Sequence, residues 1–89
     1  MELDDQGNLK FPCRYPVKAM THADRAATAR VLEVIARHDV GFDPASVQVR
    51  PSRNGRFQSI TAEIQAESRD QLETIYADLR TLDIVVMTL

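Results

Sequence analysis

From Phe57 to Ala66 the chain alternates without a break. Ile60, Ala62, Ile64 and Ala66 fall on one side, and Phe57, Ser59, Thr61, Glu63 and Gln65 on the other. Such a pattern is that of an extended strand with one covered and one accessible face. At about 3.3 Å per residue it spans roughly 33 Å, the width of a small domain. The rest of the 89-residue chain has to arrange itself around it.

The flanking segments supply the cover. From Ala23 the spacing of apolar residues changes to three and four. Ala23, Ala27, Val31, Val34, Ile35 and His38 form one stripe, while Asp24, Arg25, Arg30, Glu33 and Arg37 lie largely outside it. Thr21 is the expected N-cap of this first helix, with Asp24 in its first turn; Gly41 and Pro44 follow its end. A second helix opens at Ser68 and Gln71, which have capping-box spacing. It continues through Leu72, Ile75, Tyr76, Leu79 and Leu82.

Three further strands are expected. Tyr15 to Met20 alternates, with Pro16 placed at a strand start or opposite a gap in its neighbour. Ser46 to Arg50 is short and stopped by Pro51, which favours a sheet edge, and Asn54-Gly55 marks the hairpin that follows. Ile84 to Leu89 closes the order strand, helix, strand, strand, helix, strand. Right-handed crossovers turn that order into a ferredoxin-like α+β fold. It has a four-stranded antiparallel sheet, strands 1 and 3 central, and both helices on one face. Residues 1–10 carry Glu2, Asp4 and Asp5 without periodicity and are expected to be a flexible tail before a single domain over residues 11–89.

Composition narrows the function classes. The content of 44% hydrophobic and 27% charged residues is that of a globular protein, and the net charge of −2 is not that of a general nucleic-acid binder. Cys13 has no second thiol to pair with, the opening residues are acidic rather than signal-like, and the longest apolar run is Ile84 to Met87. These point to the cytoplasm and away from a membrane.

With the elements placed, the run Gln71 to Leu79 followed by Asp83 to Leu89 resembles the C-terminal half of the YbeD-like family of small proteobacterial proteins. Phe11-Pro12, Lys18 and Met20 are similar to its opening strand, and Ser52 to Thr61 to its hairpin. The resemblance covers residues 11–89. It implies a ferredoxin-like fold similar to the ACT regulatory domains of amino-acid enzymes. Members are often labelled lipoic acid-binding regulatory proteins, and no catalytic residues come with that label. One departure is Thr21, read here in the turn after strand 1, where related domains often have glycine.

The residues themselves offer little catalytic chemistry. His22 and His38 stand at a helix start and a helix end, and neither accompanies a nucleophile. There is no CxxC or HxH, and Gly7, Gly41 and Gly55 form no phosphate loop. No cofactor or enzyme activity is expected. Binding is the better expectation. Between Pro44 and Ala62 stand Arg50, Arg53 and Arg56 with no acid. If Lys18 and Arg50 share the accessible sheet face, they make a basic rim beside Phe57, Ser59 and Thr61. That rim suits a carboxylate or phosphate of a small metabolite such as lipoate. The same charges also serve to keep an edge strand from pairing with other chains.

Nucleic acid is disfavoured, because Phe57 is followed by Ser59 and Thr61 rather than by further aromatics. The last strand is apolar on both faces, Ile84, Val86 and Thr88 alternating with Val85, Met87 and Leu89. One set needs cover from a protein partner, from a homodimer, or from the segment around Phe11.

Overall fold

In a computed structural model that describes Leu3, Asp4 and residues 6–89, the chain folds in the expected order. The strands are β1 (Cys13–His22), β2 (Gln48–Pro51), β3 (Phe57–Ala66) and β4 (Val85–Thr88). The helices are α1 (Arg25–His38) and α2 (Arg69–Arg80), with a 3₁₀ turn at Pro44–Ser46. The four strands form one antiparallel sheet in the order β2-β3-β1-β4. The fold class is therefore the ferredoxin-like α+β arrangement.

The core lies between the helices and one sheet face. Val17 and Ala19 of β1, and Ile60, Ala62, Ile64 and Ala66 of β3, meet Ala27, Val31, Val34 and Ile35 of α1 and Leu72, Ile75 and Leu79 of α2. Every one of these positions lies on a periodic stripe visible in the sequence. Residues one step out of phase on the strands face away from the helices. Cys13 is a buried free thiol at the start of β1.

Pairing across the sheet lengthens β1 at both ends. It is matched to β3 without a break from Cys13 opposite Ala66 to His22 opposite Phe57. This corrects the expected start of α1. Thr21 is not in a turn and does not cap the helix; it is fully buried within β1, and its hydroxyl donates to the His22 carbonyl at 2.8 Å. Asp24 is the N-cap, its carboxylate accepting the Ala26 N–H at 2.9 Å.

At α2 the capping box is present in altered form. The Ser68 hydroxyl accepts the Gln71 N–H at 3.1 Å, while the Gln71 amide oxygen reaches past Ser68 to the Glu67 N–H at 2.6 Å.

Three further differences follow from pairing. The segment read as opening the second strand instead makes the 3₁₀ turn, so β2 begins only at Gln48. The two-set alternation expected in the last strand is broken by a bulge. Met20 is opposite Met87 and Thr21 opposite Val85, leaving Val86 as the extra residue. Val85 and Thr88 therefore lie opposite buried residues, while Val86 and Met87 are both exposed. Within the segment read as a tail, Leu3 bridges Leu9, the Asp4 carboxylate accepts the Gln6 and Asn8 N–H groups, and Leu9 packs on the core. Met1, Glu2 and Asp5 lie outside the described residues, so of the three acids of that segment only Asp4 is described.

The uneven strand lengths leave edges that are handled locally. β2 pairs with β3 only as far as Thr61. Beyond it, the Asp39 carboxylate from the loop after α1 accepts the Gln65 N–H at 3.2 Å with one oxygen and the Gly41 N–H at 3.1 Å with the other.

On the other side, β4 reaches β1 only to Lys18, whose carbonyl accepts the Leu89 N–H at 3.0 Å; His22 donates to the Ile84 carbonyl at 3.1 Å. Backbone groups alternate in direction along a strand, so those of Pro16 point the same way, past the end of β4. The missing N–H of Pro16 falls opposite a gap, which is why a central strand tolerates it. Among the described residues no helix is long and apolar enough to cross a membrane.

Candidate functional site

The uncovered sheet face carries the candidate residues in ladder rows. One row runs Gln48, Thr61, Lys18, and the next runs Arg50, Ser59, Met20, Met87. Phe57 and His22 form the row at the hairpin end, their ring centroids 5.5 Å apart and tilted by 35°. Lys18, Arg50, Phe57, Ser59 and Thr61 thus share one face. Lys18 and Arg50 stand two strands apart in adjacent rows, a Cα separation of about 12 Å from standard sheet spacings. Both are long enough to converge over the Ser59 and Thr61 hydroxyls between them.

Arg53 and Arg56 are placed differently. They belong to the hairpin that links β2 to β3, where Gly55 takes a φ of 75° and donates to the Ser52 carbonyl. The Ser52 N–H donates to the Phe57 carbonyl at 2.8 Å, and the Asn54 side chain accepts from the Arg56 N–H at 3.0 Å. The Arg56 carbonyl accepts the Ala23 N–H at 3.0 Å, tying the hairpin to the start of α1. These two arginines extend positive charge around the end of the sheet instead of joining the ladder rows.

Electrostatically the rim is open. The ion pairs among the described residues are Arg14 with Glu63 at 3.5 Å, Arg30 with Asp83 at 3.0 Å and His38 with Asp78 at 2.7 Å. None involves Lys18, Arg50, Arg53 or Arg56. Met20 and Met87 widen the surface on the apolar side. Sequence alternation already put Met20 on Lys18's face, and Met87 joins it as the residue opposite Met20, one step from Thr88.

The histidines are engaged in structural contacts. His38 ends α1 and holds Asp78 of α2, while Gln71 donates to the His38 carbonyl at 3.0 Å. His22 lies against Phe57. Among the described residues no group of three or more His, Cys, Asp and Glu is placed to hold a metal.

Sequence reasoning missed a concavity at the border of the sheet, away from its flat open face. A shallow pocket of about 340 Å³ lies where β4 stops short along β1, lined by Tyr15, Glu73, Tyr76, Arg80, Thr88 and Leu89. The half-buried Tyr76 hydroxyl donates to the Leu89 carbonyl at 3.2 Å. Burial, and after it the neighbouring Tyr15 hydroxyl, pushes the Tyr76 phenol above its ordinary range, while the Lys18 backbone N–H acts in the opposite direction. No periodicity marks this pocket, because it arises from the unequal lengths of two strands.

A family model described as a protein of unknown function, DUF493, matches residues 6–89. A UPF0250 protein of Nitrosomonas europaea is 34% identical over 87 residues, covering 98% of this chain and 100% of the relative. A UPF0250 protein of Vibrio cholerae is 43% identical over 81 residues, covering 91% and 86%. The solution structure of protein HP0495 from H. pylori superimposes with a TM-score of 0.70 at 22% identity, over 100% of this chain and 94% of that one, a likeness of fold.

Proposed function

The chain belongs to the YbeD-like DUF493 family, whose function is unknown, and from that premise we propose that it is a non-enzymatic binding module. Its partner is an anion with an apolar part, taken on the open sheet face. The observation that carries this reading is the pair Lys18 and Arg50, on one uncovered face and outside every ion pair of the described residues. Between them stand two hydroxyls, and beside them Met20 and Phe57.

Arginine offers a planar fork of donors and lysine a point charge, so a carboxylate between them gains charge-assisted hydrogen bonds. A methylene chain has the Met20, Met87 and Phe57 side chains to lie on. Lipoate and other medium-chain carboxylates fit that description, and a regulatory role follows if occupancy alters a protein contact. Because the face is flat rather than concave, binding is expected to be weak, with fast exchange.

The test is an amide-resolved NMR titration with lipoate, octanoate, inorganic phosphate and a short RNA. The expected result is saturable shifts at Lys18, Arg50, Ser59 and Thr61 with the two carboxylates. Affinity should fall about tenfold in Lys18→Ala/Arg50→Ala, from the loss of one to two charge-assisted bonds. Silence with both carboxylates, or shifts that survive the double substitution, would overturn the proposal. RNA shifts centred on His22 and Phe57 at physiological salt would replace it with nucleic-acid binding.

A further inference from the structure

The two outer edges of the sheet are built differently. β2 carries Arg50 and ends in Pro51, two devices that discourage an edge strand from pairing with another chain. β4 forms the opposite edge, and from Ile84 to Leu89 it has no charged residue and no proline. The bulge turns Val86 and Met87 outward. These residues and Leu89 remain 45%, 51% and 56% exposed.

The Leu89 N–H faces β1, so Thr88, one residue earlier, directs its N–H and carbonyl away from the sheet. Above this edge α2 brings Glu73 and Arg80 to the rim of the pocket. They lie two helical turns apart, about 10 Å, and neither has an ion-pair partner among the described residues.

We propose that β4 pairs edge to edge with β4 of a second copy of this chain, antiparallel, about a two-fold axis beside Thr88. The axis lets Thr88 exchange both backbone hydrogen bonds with its own counterpart and sets Met87 against Leu89 of the second copy. Tyr76, whose hydroxyl contacts Leu89, lies almost midway between Glu73 and Arg80. The same rotation therefore reverses α2 about that midpoint and carries Glu73 of each copy to Arg80 of the other. Two charges unmatched in one chain are matched twice in the pair, and that complementarity is the reason for assigning the edge to a second copy rather than to a foreign strand. The product is one eight-stranded sheet with all four helices on one side. Its open face stays uncovered, so the arrangement stands independently of the anion reading.

Sedimentation velocity from micromolar to millimolar chain concentration tests it. Wild type is expected to move from 10.0 kDa to twice that mass. Glu73→Arg and Arg80→Glu should each stay at the single mass, and the combined E73R/R80E exchange should restore the double mass. Thr88→Pro, which removes an outward N–H and leaves the Leu89 bond to β1 in place, should also stay single. Both α2 positions are exposed, so amide spectra should retain their dispersion in every charge variant. A wild type that stays single throughout, a combined exchange that fails to restore pairing, or a dimer indifferent to these changes would overturn the proposal. A single mass throughout would leave the edge for the strand of a different protein.

Discussion

Gln58 is expected to be the polar residue on which the register of the central strands most depends. Its amide nitrogen donates to the Thr28 hydroxyl at 2.9 Å, the Thr21 hydroxyl at 3.2 Å and the Asp24 carbonyl at 3.2 Å, joining β3 to β1 and to the start of α1. Two N–H groups shared among three acceptors are worth about two net hydrogen bonds, or about 2 kcal/mol. Gln58→Leu removes them, and the added apolar contact offsets part of the loss, leaving a destabilisation of about 1.5 kcal/mol. In a domain of this size that lowers Tm by roughly 6–12 °C. Urea unfolding followed by circular dichroism gives the free energy directly.

Thr21→Val should cost about 1 kcal/mol, since it deletes one of those acceptors and the donation to His22. The two substitutions share a contact, so the double variant should fall short of additivity by about 0.5–1 kcal/mol. A Gln58→Leu protein as stable as wild type, or a fully additive pair, would refute the network. A strand slipped by one residue would also carry Phe57, Ser59 and Thr61 to the other face, so the lock bears on the candidate site as well as on stability.

Tyr76 gives a pH signature. Its phenol is raised in the folded state, so above the unfolded value of about 10 the unfolded chain releases a proton that the folded one retains, and stability falls as pH rises. Between about pH 9 and pH 11 wild type should lose up to about 1 kcal/mol more than Tyr76→Phe in paired urea titrations; equal losses would contradict the burial of the hydroxyl. Pro16→Ala should change stability by under about 1 kcal/mol, and downward, because it frees the unfolded chain without supplying a partner for the new N–H. In that variant the amide introduced in place of the Pro16 nitrogen should exchange its hydrogen fast compared with Val17, and protection there would show that the gap beside β4 is filled.

The parts of this fold that were legible in the sequence are those governed by local period. The β3 alternation and the two helical stripes named nearly the whole core, because burial of one face imposes a period of two or about three and a half whatever the partner is. The same parity put Lys18, Ser59 and Thr61 on a common face. Features decided by strand pairing were not legible. Thr21 and Asp24 are both good caps; the choice fell to Asp24 because β3 holds β1 in the ladder as far as His22. The bulge at Val86 is a two-for-one count that exists only once β4 lies beside β1. Arg53 and Arg56 looked equivalent to Arg50 in a linear charge run, and only the hairpin geometry separates them. The pocket at Tyr15 and Tyr76 had no signal at all, being a mismatch in length between elements distant in the chain.

The carboxylate of Asp39 gives the exposed connection after α1 a restricted tolerance to engineering. Surface connections of this kind normally accept inserted residues freely. Here one oxygen of a loop residue stands in for a missing β-strand at Gln65, so the length and geometry of the stretch around Gly41 are tied to the central sheet. A peptide tag or fused domain is better placed at the Asn54-Gly55 tip, whose contacts are almost all within the hairpin itself, than in the neighbouring Val40 region, which looks more permissive because its side chain is 97% exposed.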